Sequence, residues 1–229
     1  MSPSIRTSTL MSVFLGLFAT ASIAADLPET THDGLQLVPG SKVRALYAEP
    51  GASLAAYKRI ALLDCYVAFK KDWQRDQNSS GLRVSSADMQ RIRTGVAEMF
   101  REAFTKELQD GGYQMTTEGG EDVLILRPAI INLDVSAPDT MSAGMGRTFS
   151  TSAGSMTLFV EFLDGATGEI LLRAVDAAAA RDSGRMMWQS SVTNKAEADR
   201  MFGKWAKLAR DGLDRARASG AAIIPAPQK

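Results

Sequence analysis

The sequence is poor in the residue types that carry most nucleophilic, redox and metal chemistry. Among its 229 residues there are one cysteine, Cys65, and one histidine, His32. A single cysteine cannot form a disulfide within the chain, and a single histidine leaves no set of partners for a zinc site or a histidine-based triad. The composition therefore predicts no catalytic residue of these classes, no metal and no cofactor.

An excess of charge of one sign is also missing. The chain has 26 basic and 26 acidic residues, so its formal net charge is zero. Nucleic-acid-binding domains commonly rely on a basic surplus, and we therefore expect no nucleic-acid partner. After the N-terminal 24 residues, no segment is apolar enough to span a bilayer, so the mature chain is predicted to have no transmembrane span.

Residues 1–24 have the pattern of a secretory signal peptide. The basic residue Arg6 precedes a short apolar run over 10–19, and small residues follow this run. The expected cleavage is after Ala24, with cleavage after Ala25 as the alternative. Because no cysteine lies near the cut, we expect no lipidation at the mature N-terminus. The protein is predicted to be periplasmic or secreted.

The mature chain is predicted to comprise an irregular N-terminal arm (25–57), a single α/β domain (58–218) and a C-terminal tail (219–229). Proline and glycine interrupt the arm, whereas apolar periodicity marks the domain. The pattern indicates a two-layer sandwich of the α+β type, with a four-stranded, mostly antiparallel sheet and two amphipathic helices on one face. The predicted order is β-α-β-β-β-α, over 58–69, 86–110, 122–135, 156–163, 170–180 and 195–218.

Four local signals support these elements. Ser85 and Asp88 resemble a capping box at the start of the first helix. Pro128 predicts a bulge or an edge position in the second strand, because proline cannot donate a ladder hydrogen bond. The turn-like composition of 164–169 joins two alternating segments into an antiparallel hairpin. Cys65 shares a face of the first predicted strand with apolar residues, which indicates a packed and inert thiol.

Polar residues within apolar strands are the first candidates for a site. Arg127 follows four aliphatic residues, and if buried it would need a carboxylate partner. Asp64, Asp134 and Asp176 are candidate partners because each falls on a predicted strand. A structural ion pair, or an edge residue facing water, is the favoured interpretation; a residue that binds an anion or a partner protein is the alternative.

Two further residues complete the candidate set. Arg147 lies in a segment rich in glycine, serine and threonine (141–155), for which a flexible hairpin loop is favoured over a phosphate cradle. Trp188 is either packed against the last helix, which is favoured, or an exposed aromatic contact at the end of the sheet. Together with Arg127 and Asp176, these are the candidate partner- or anion-binding residues.

Several short motifs in a fixed order resemble the DUF3313 domain family of bacterial envelope proteins, many of which are lipoproteins. The resemblance covers most of 33–217 and implies an envelope location, but it brings no known reaction or catalytic residue. This chain departs from the lipoprotein members because it has no lipidation cysteine. The motifs are Gly34-Leu35, Tyr57 before the first strand, the sequence LILRPAI over 124–130, the turn 164–169, and Trp205 in the last helix.

Three hypotheses follow for the function. The first is a non-catalytic exported domain that binds another envelope protein, through the uncovered face of the sheet or the segment 141–155. The second is a carboxylate- or serine-dependent hydrolase, which would need a deep cleft with two carboxylates of perturbed pKa. The third is a carrier of a hydrophobic ligand, which would need an apolar cavity beneath the helices.

Overall fold

The computed structural model describes residues 27–81, 83–135, 148–150, 154–179, 187–189 and 191–226. These residues form a mixed α/β fold of three helices and ten strands. The helices are α1 (Trp73–Ser79), α2 (Ser86–Asp110) and α3 (Ser191–Ser219). The strands are β1 (Gln36–Leu37), β2 (Ala45–Ala48), β3 (Arg59–Leu62), β4 (Tyr66–Phe69), β5 (Gln114–Met115), β6 (Val123–Val135), β7 (Thr148–Ser150), β8 (Gly154–Asp164), β9 (Ile170–Ala179) and β10 (Met187–Gln189).

The main sheet has eight strands rather than the four predicted. Its order is β1-β2-β9-β8-β6-β3-β5, and β4 also pairs with β6, while β7 and β10 form a separate two-stranded sheet. The predicted first strand is divided into β3 and β4, both parallel to β6. The arm predicted to be irregular supplies β1 and β2, and β2 pairs with β9. Such short segments carry little sequence signal, yet β2 pairs with the hydrogen-bonding edge that β9 would otherwise expose, and β1 pairs with β2.

The division between β3 and β4 lies opposite Pro128. The N–H of Leu63 donates to the C=O of Leu126 (2.9 Å), so the polar backbone groups of Leu126 point toward β3. This direction alternates along a strand, so the backbone of Pro128, two residues after Leu126, faces the same side. Pro128 has no N–H to donate there. Pro128 therefore lies in an interior strand beside a gap, not at the predicted edge or bulge; the bulge of β6 occurs at Asn132, where φ is 52°.

Helices α2 and α3 cover the same face of the sheet, which we call the inner face. The α2 bounds agree with the predicted helix, and its capping box is present: Ser85 Oγ accepts from the N–H of Asp88 (3.2 Å), and the Asp88 carboxylate accepts from the N–H of Ser85 (2.9 Å). Phe100 and Phe202 meet edge to face, with ring centroids 5.8 Å apart. The core under the two helices includes Phe104, Leu126, Ile130, Met156, Leu158, Val160, Phe162 and Trp205.

The opposite face of the sheet, the outer face, carries the alternate residues of β6, β8 and β9. Near β2, a small apolar cluster covers this face, with buried Leu35 and Tyr47 packed beside partly buried Val175. Farther along the sheet, the register aligns Arg127 of β6, Glu161 of β8 and Arg173 of β9. A row of charged side chains thus crosses the outer face, among apolar residues such as Phe159.

Candidate functional site

The structure does not bring the four predicted site residues together. Arg127 lies on the outer face, whereas Asp176 of β9 is paired in register with the buried Leu158 and so lies on the inner face. The backbone of Trp188 pairs with Phe149 between β10 and β7, and its role as a contact residue stays a prediction. Arg147 lies outside the described residues. No single surface therefore holds the whole set.

Arg127 pairs with Glu161, and not with any of the three aspartates considered from the sequence. Its Nε and Nη2 donate to Glu161 Oε2 at 2.8 and 2.6 Å. The other carboxylate oxygen of Glu161 accepts from Nε and Nη2 of Arg173 at 3.0 and 2.8 Å. Arg173 in turn donates to both oxygens of Asp33 at 3.0 and 2.6 Å. Four side chains thus form an ion-pair ladder across three strands and the N-terminal segment.

The ladder differs in exposure from one end to the other. The side chains of Glu161 and Arg173 are 8% and 12% exposed, whereas that of Arg127 is 51% exposed. Hydrogen bonds from Arg173 hold the pKa of Asp33 well below its usual range, since they stabilise the carboxylate form. Each charge in the ladder has a partner of opposite sign. A role of Arg127 in binding an anion or a partner protein stays a prediction.

The three aspartates considered for Arg127 have other partners. Asp64 pairs with Arg101, and Asp134 accepts from Lys70 Nζ at 3.4 Å. Asp176 connects two elements to β9, because its Oδ1 accepts from the backbone N–H of Arg44 (3.0 Å) and its Oδ2 accepts from the indole N–H of Trp205 (2.8 Å). These two bonds attach α3 and the end of the segment before β2 to the sheet.

An apolar cavity of about 700 Å³ lies between α3 and the inner face of the sheet, and we call it the α3 cavity. Its sheet wall is formed by β8 and β9, its helix wall by α3, and its rim by the segment 38–43 and the tail residues 219–223. The tail is attached to the arm, because the N–H of Ile223 donates to the C=O of Ala52 (2.9 Å). The apolar walls comprise Leu46, Leu54, Phe104, Leu158, Val160, Phe162, Leu172, Ala174, Trp205, Leu208, Ala209, Leu213 and Ala216.

A second and more open cleft of about 1,100 Å³ lies between α2 and the β4–α1 region. Charged side chains of both signs line it, among them Asp64, Glu98 and Arg93. Cys65 also lines it, in the break between β3 and β4 and not on the strand predicted for it. Burial raises the pKa of the Cys65 thiol to about 12, so the thiol is protonated at neutral pH and is a poor nucleophile.

Among the described residues, the aspartates with a shifted pKa resemble carboxylates that stabilise a fold, and not carboxylates that act as general acids. Asp164 is an example: the Tyr57 hydroxyl donates to it at 2.6 Å and lowers its pKa, and the backbone N–H groups of Ala166 and Thr167 bond its other oxygen. A general acid at neutral pH would need a raised pKa. Within the part of the chain that the structure describes, no group of three or more histidine, cysteine or acidic residues is arranged to hold a metal ion.

Sequence reasoning missed the partners in the ladder and the residues that form the α3 cavity. Glu161 and Arg173 face each other across the predicted hairpin, so opposite charges at paired positions were a signal that could have identified them. Asp33 and the segment 38–43 gave no such signal, because their contacts are with residues far away in the chain.

Replacing Glu161 tests the ladder. Glu161→Ala removes the carboxylate that lies between two guanidinium groups, and we expect the free energy of unfolding to fall by about 2 kcal/mol. Arg127→Ala is expected to cost about 1 kcal/mol or less, because Arg127 is half exposed. Urea denaturation at pH 7 measures both values, and Glu102→Ala on the exposed surface of α2 is the control. Equal losses for Glu161→Ala and Arg127→Ala would contradict this account.

Replacing Asp33 tests the pKa shift through the pH dependence of stability. Since the pKa of Asp33 is lowered in the folded protein, its stabilising contribution is complete above the unfolded pKa of about 3.9 and is lost as the pH falls toward the folded value. Asp33→Asn should lower the melting temperature at pH 7, and its difference from the wild type should shrink below about pH 4. Calorimetry at pH 7, 5 and 3 measures this, with Glu102→Gln as the control. A difference that is constant with pH would show that the ladder does not perturb Asp33.

Several solved structures resemble this fold at low identity. The PelC dodecamer from Paraburkholderia phytofirmans is 11% identical with a TM-score of 0.37, covering 72% of this chain and 96% of that chain. A minor lipoprotein from Acinetobacter baumannii is 11% identical with a TM-score of 0.37, covering 68% and 94%. A DUF330 protein from Xanthomonas campestris is 9% identical with a TM-score of 0.38, covering 79% and 95%. Scores this low support no inference about ligand, activity or assembly.

Comparison with curated protein sequences gives no match. The family model described as "Protein of unknown function (DUF3313)" matches residues 30–209, which is most of the chain. This match confirms the resemblance drawn from the order of the motifs. The chain therefore belongs to the DUF3313 family.

Proposed function

We propose that this protein is an exported cell-envelope protein that binds a hydrophobic ligand in the α3 cavity and does not transform it. The observation that carries the proposal is the cavity itself, whose walls are formed mainly by aliphatic and aromatic side chains. Its volume of about 700 Å³ is within the range of small-molecule sites, about 300–1,000 Å³. This is the feature that the ligand-carrier hypothesis required.

The partly exposed apolar side chains of the cavity argue for an occupant. Leu208 and Ala174 line the cavity and are only partly buried, although their apolar side chains pack against the main core. A hydrophobic ligand would complete their burial, and the removal of apolar surface from water would favour binding.

The hydrolase hypothesis has less support. Its general acid would need a carboxyl group whose pKa is raised toward neutral pH. The Cys65 thiol has a raised pKa, and Asp33, Asp122, Asp164 and Asp211 have lowered ones. The mainly apolar α3 cavity likewise favours binding over acid–base chemistry.

Binding of another envelope protein is the second candidate, and the outer face supports it. Tyr66 is 67% exposed, and its register with Ala129 places it on the outer face, on the same side as Arg127. Large exposed aromatic residues of this kind are common in interfaces between proteins. This surface and the α3 cavity lie on opposite faces of the sheet, so the two candidate functions do not compete.

Export is inferred from the pattern of residues 1–24. Among the described residues, no helix is both long and apolar enough to cross a membrane. We expect the full chain, expressed in a Gram-negative host, to be recovered from the periplasmic fraction with Ala25 as its first residue. Intact mass spectrometry measures this, and Leu15→Arg in the apolar run is the control that should block processing. An uncleaved chain in the envelope would contradict export by a cleaved signal peptide.

Filling the α3 cavity tests the binding function. Gly212 of α3 lines the cavity, and apart from the helix backbone the only described neighbour within 4 Å of a Cβ placed there is the Arg215 guanidinium, at 4.0 Å. Gly212→Trp should therefore place an indole in the cavity and weaken binding of the neutral probe N-phenyl-1-naphthylamine by about tenfold or more. Probe fluorescence measures the dissociation constant. The fold should tolerate the change, since glycine is a poor helix former.

The same helix offers a matched control. Apart from the helix backbone, Gly203 has no described neighbour within 4 Å of a Cβ position, but it is exposed and does not line the cavity. Gly203→Trp should leave probe binding unchanged. Equal effects of the two substitutions, or no binding of the probe by the wild type, would overturn the proposed function.

A further inference from the structure

We propose that the ligand of the α3 cavity is an amphiphilic anion: an acyl or alkyl chain that fills the apolar volume, with a carboxylate or phosphate head at the rim. This inference rests on the proposed function and adds the chemical class of the ligand. It depends on the charge of the cavity lining, on the position of the charged residues, and on the lack of ion-pair partners for them among the described residues.

The charge of the lining has one sign. Among the described residues that line the cavity, Lys42 and Arg215 are cationic and none is acidic. The chain as a whole has equal numbers of acidic and basic residues, so a lining with cations alone differs from the average surface. The second cleft illustrates the contrast, because Asp64, Asp72 and Glu98 lie there among the basic residues.

The two cations belong to different walls of the cavity. Lys42 lies in the segment between β1 and β2, which forms part of the rim, and Arg215 lies near the C-terminal end of α3. The Arg215 guanidinium turns back along the helix, with its Nη2 4.0 Å from the position a Cβ would take on Gly212. Because Gly212 is itself a lining residue, this charge lies at the boundary of the cavity. Both residues are exposed, so an anionic head held there would stay in contact with water.

Among the residues that the structure describes, Lys42 and Arg215 are in no ion pair, whereas Arg210, five residues earlier on α3, pairs with Glu107 at 3.2 Å. An anionic head group could therefore bind without breaking an existing ion pair. A cationic amphiphile would be repelled by the same two charges, and a neutral one would gain nothing from them. The lining thus favours an anion over both alternatives.

The test compares ligands that share a chain and differ in the head group. Dodecanoate, dodecyl phosphate and neutral dodecanol are each used, below the concentration at which they aggregate, to displace N-phenyl-1-naphthylamine from the full mature chain at pH 8. We expect at least one anion to bind about fivefold to tenfold more tightly than dodecanol at low salt. The preference should decrease at high salt, because exposed charges are screened. The relative affinities of carboxylate and phosphate distinguish a fatty acid from a phosphate-bearing lipid as the source.

Charge reversal identifies the residues responsible. The double variant Lys42→Glu, Arg215→Glu should lose the preference for the anion while it keeps its affinity for dodecanol. The matched control is Lys71→Glu, Lys204→Glu, which reverses two exposed lysines that are also without an ion pair in the described residues but do not line the cavity. The control has the same change in net charge, and it should keep most of the preference.

The outcomes separate this inference from the proposed function. A preference for anions that is lost only in the Lys42 and Arg215 variant supports the inference. Equal affinities for anionic and neutral ligands, or an equal loss in both double variants, overturn it while leaving the hydrophobic site in place. Absence of any binding by the wild type, for the probe and for all three amphiphiles, overturns both proposals.

Discussion

The alternation of side chains along β6, β8 and β9 is the constraint on which the rest of the structure depends. Successive residues of a strand point to opposite faces, so a strand with apolar residues at every second position has one face that must be covered. In β8 these residues are Met156, Leu158, Val160 and Phe162, and all four are buried. Helices α2 and α3 supply the cover. The intervening positions then face the other way and place Glu161 beside its arginine partners.

The cover over the inner face is not uniform, and this leaves room for the α3 cavity. Phe100, Phe104 and Phe202 fill the layer where α2 and α3 are adjacent. Beyond them, toward β9 and β2, α3 presents small residues such as Ala209 and Gly212, which cannot fill the space. The two bonds to Asp176 attach the walls on either side. The cavity is thus bounded by fixed elements and does not result from a loose end of the helix.

Charged side chains are arranged differently on the two faces of the sheet. On the outer face, Arg127, Glu161, Arg173 and Asp33 neutralise one another, and the more buried members depend on this pairing because an isolated buried charge is costly. At the rim of the α3 cavity, Lys42 and Arg215 are exposed and stay in contact with water. The ladder therefore serves the stability of the fold, whereas the charges at the rim are the ones that we propose to select a ligand.

Local patterns in the sequence predicted several elements well. The apolar stripe and capping box of α2 define its bounds, and the alternation and turn of 156–180 define the β8–β9 hairpin, because each depends on residues close together in the chain. The family also follows from the order of short motifs. Pro128 shows the limit of this reasoning. The absence of its N–H was correctly taken as an interruption of pairing, but the gap lies in the neighbouring strands.

Only the tertiary structure determined the eight-stranded sheet, the Glu161 ladder and the α3 cavity. Strands β1 and β2 are too short to be recognised: β2 forms because β9 offers an edge with unpaired backbone groups, and β1 then pairs with β2. The cavity combines the segment 38–43, two central strands and the last helix, which are distant in sequence. The sequence by itself determined which residues are apolar enough to be buried and where the chain turns. Packing decided which distant segments come into contact, since contacts between residues far apart in the chain produce no periodic pattern in the sequence.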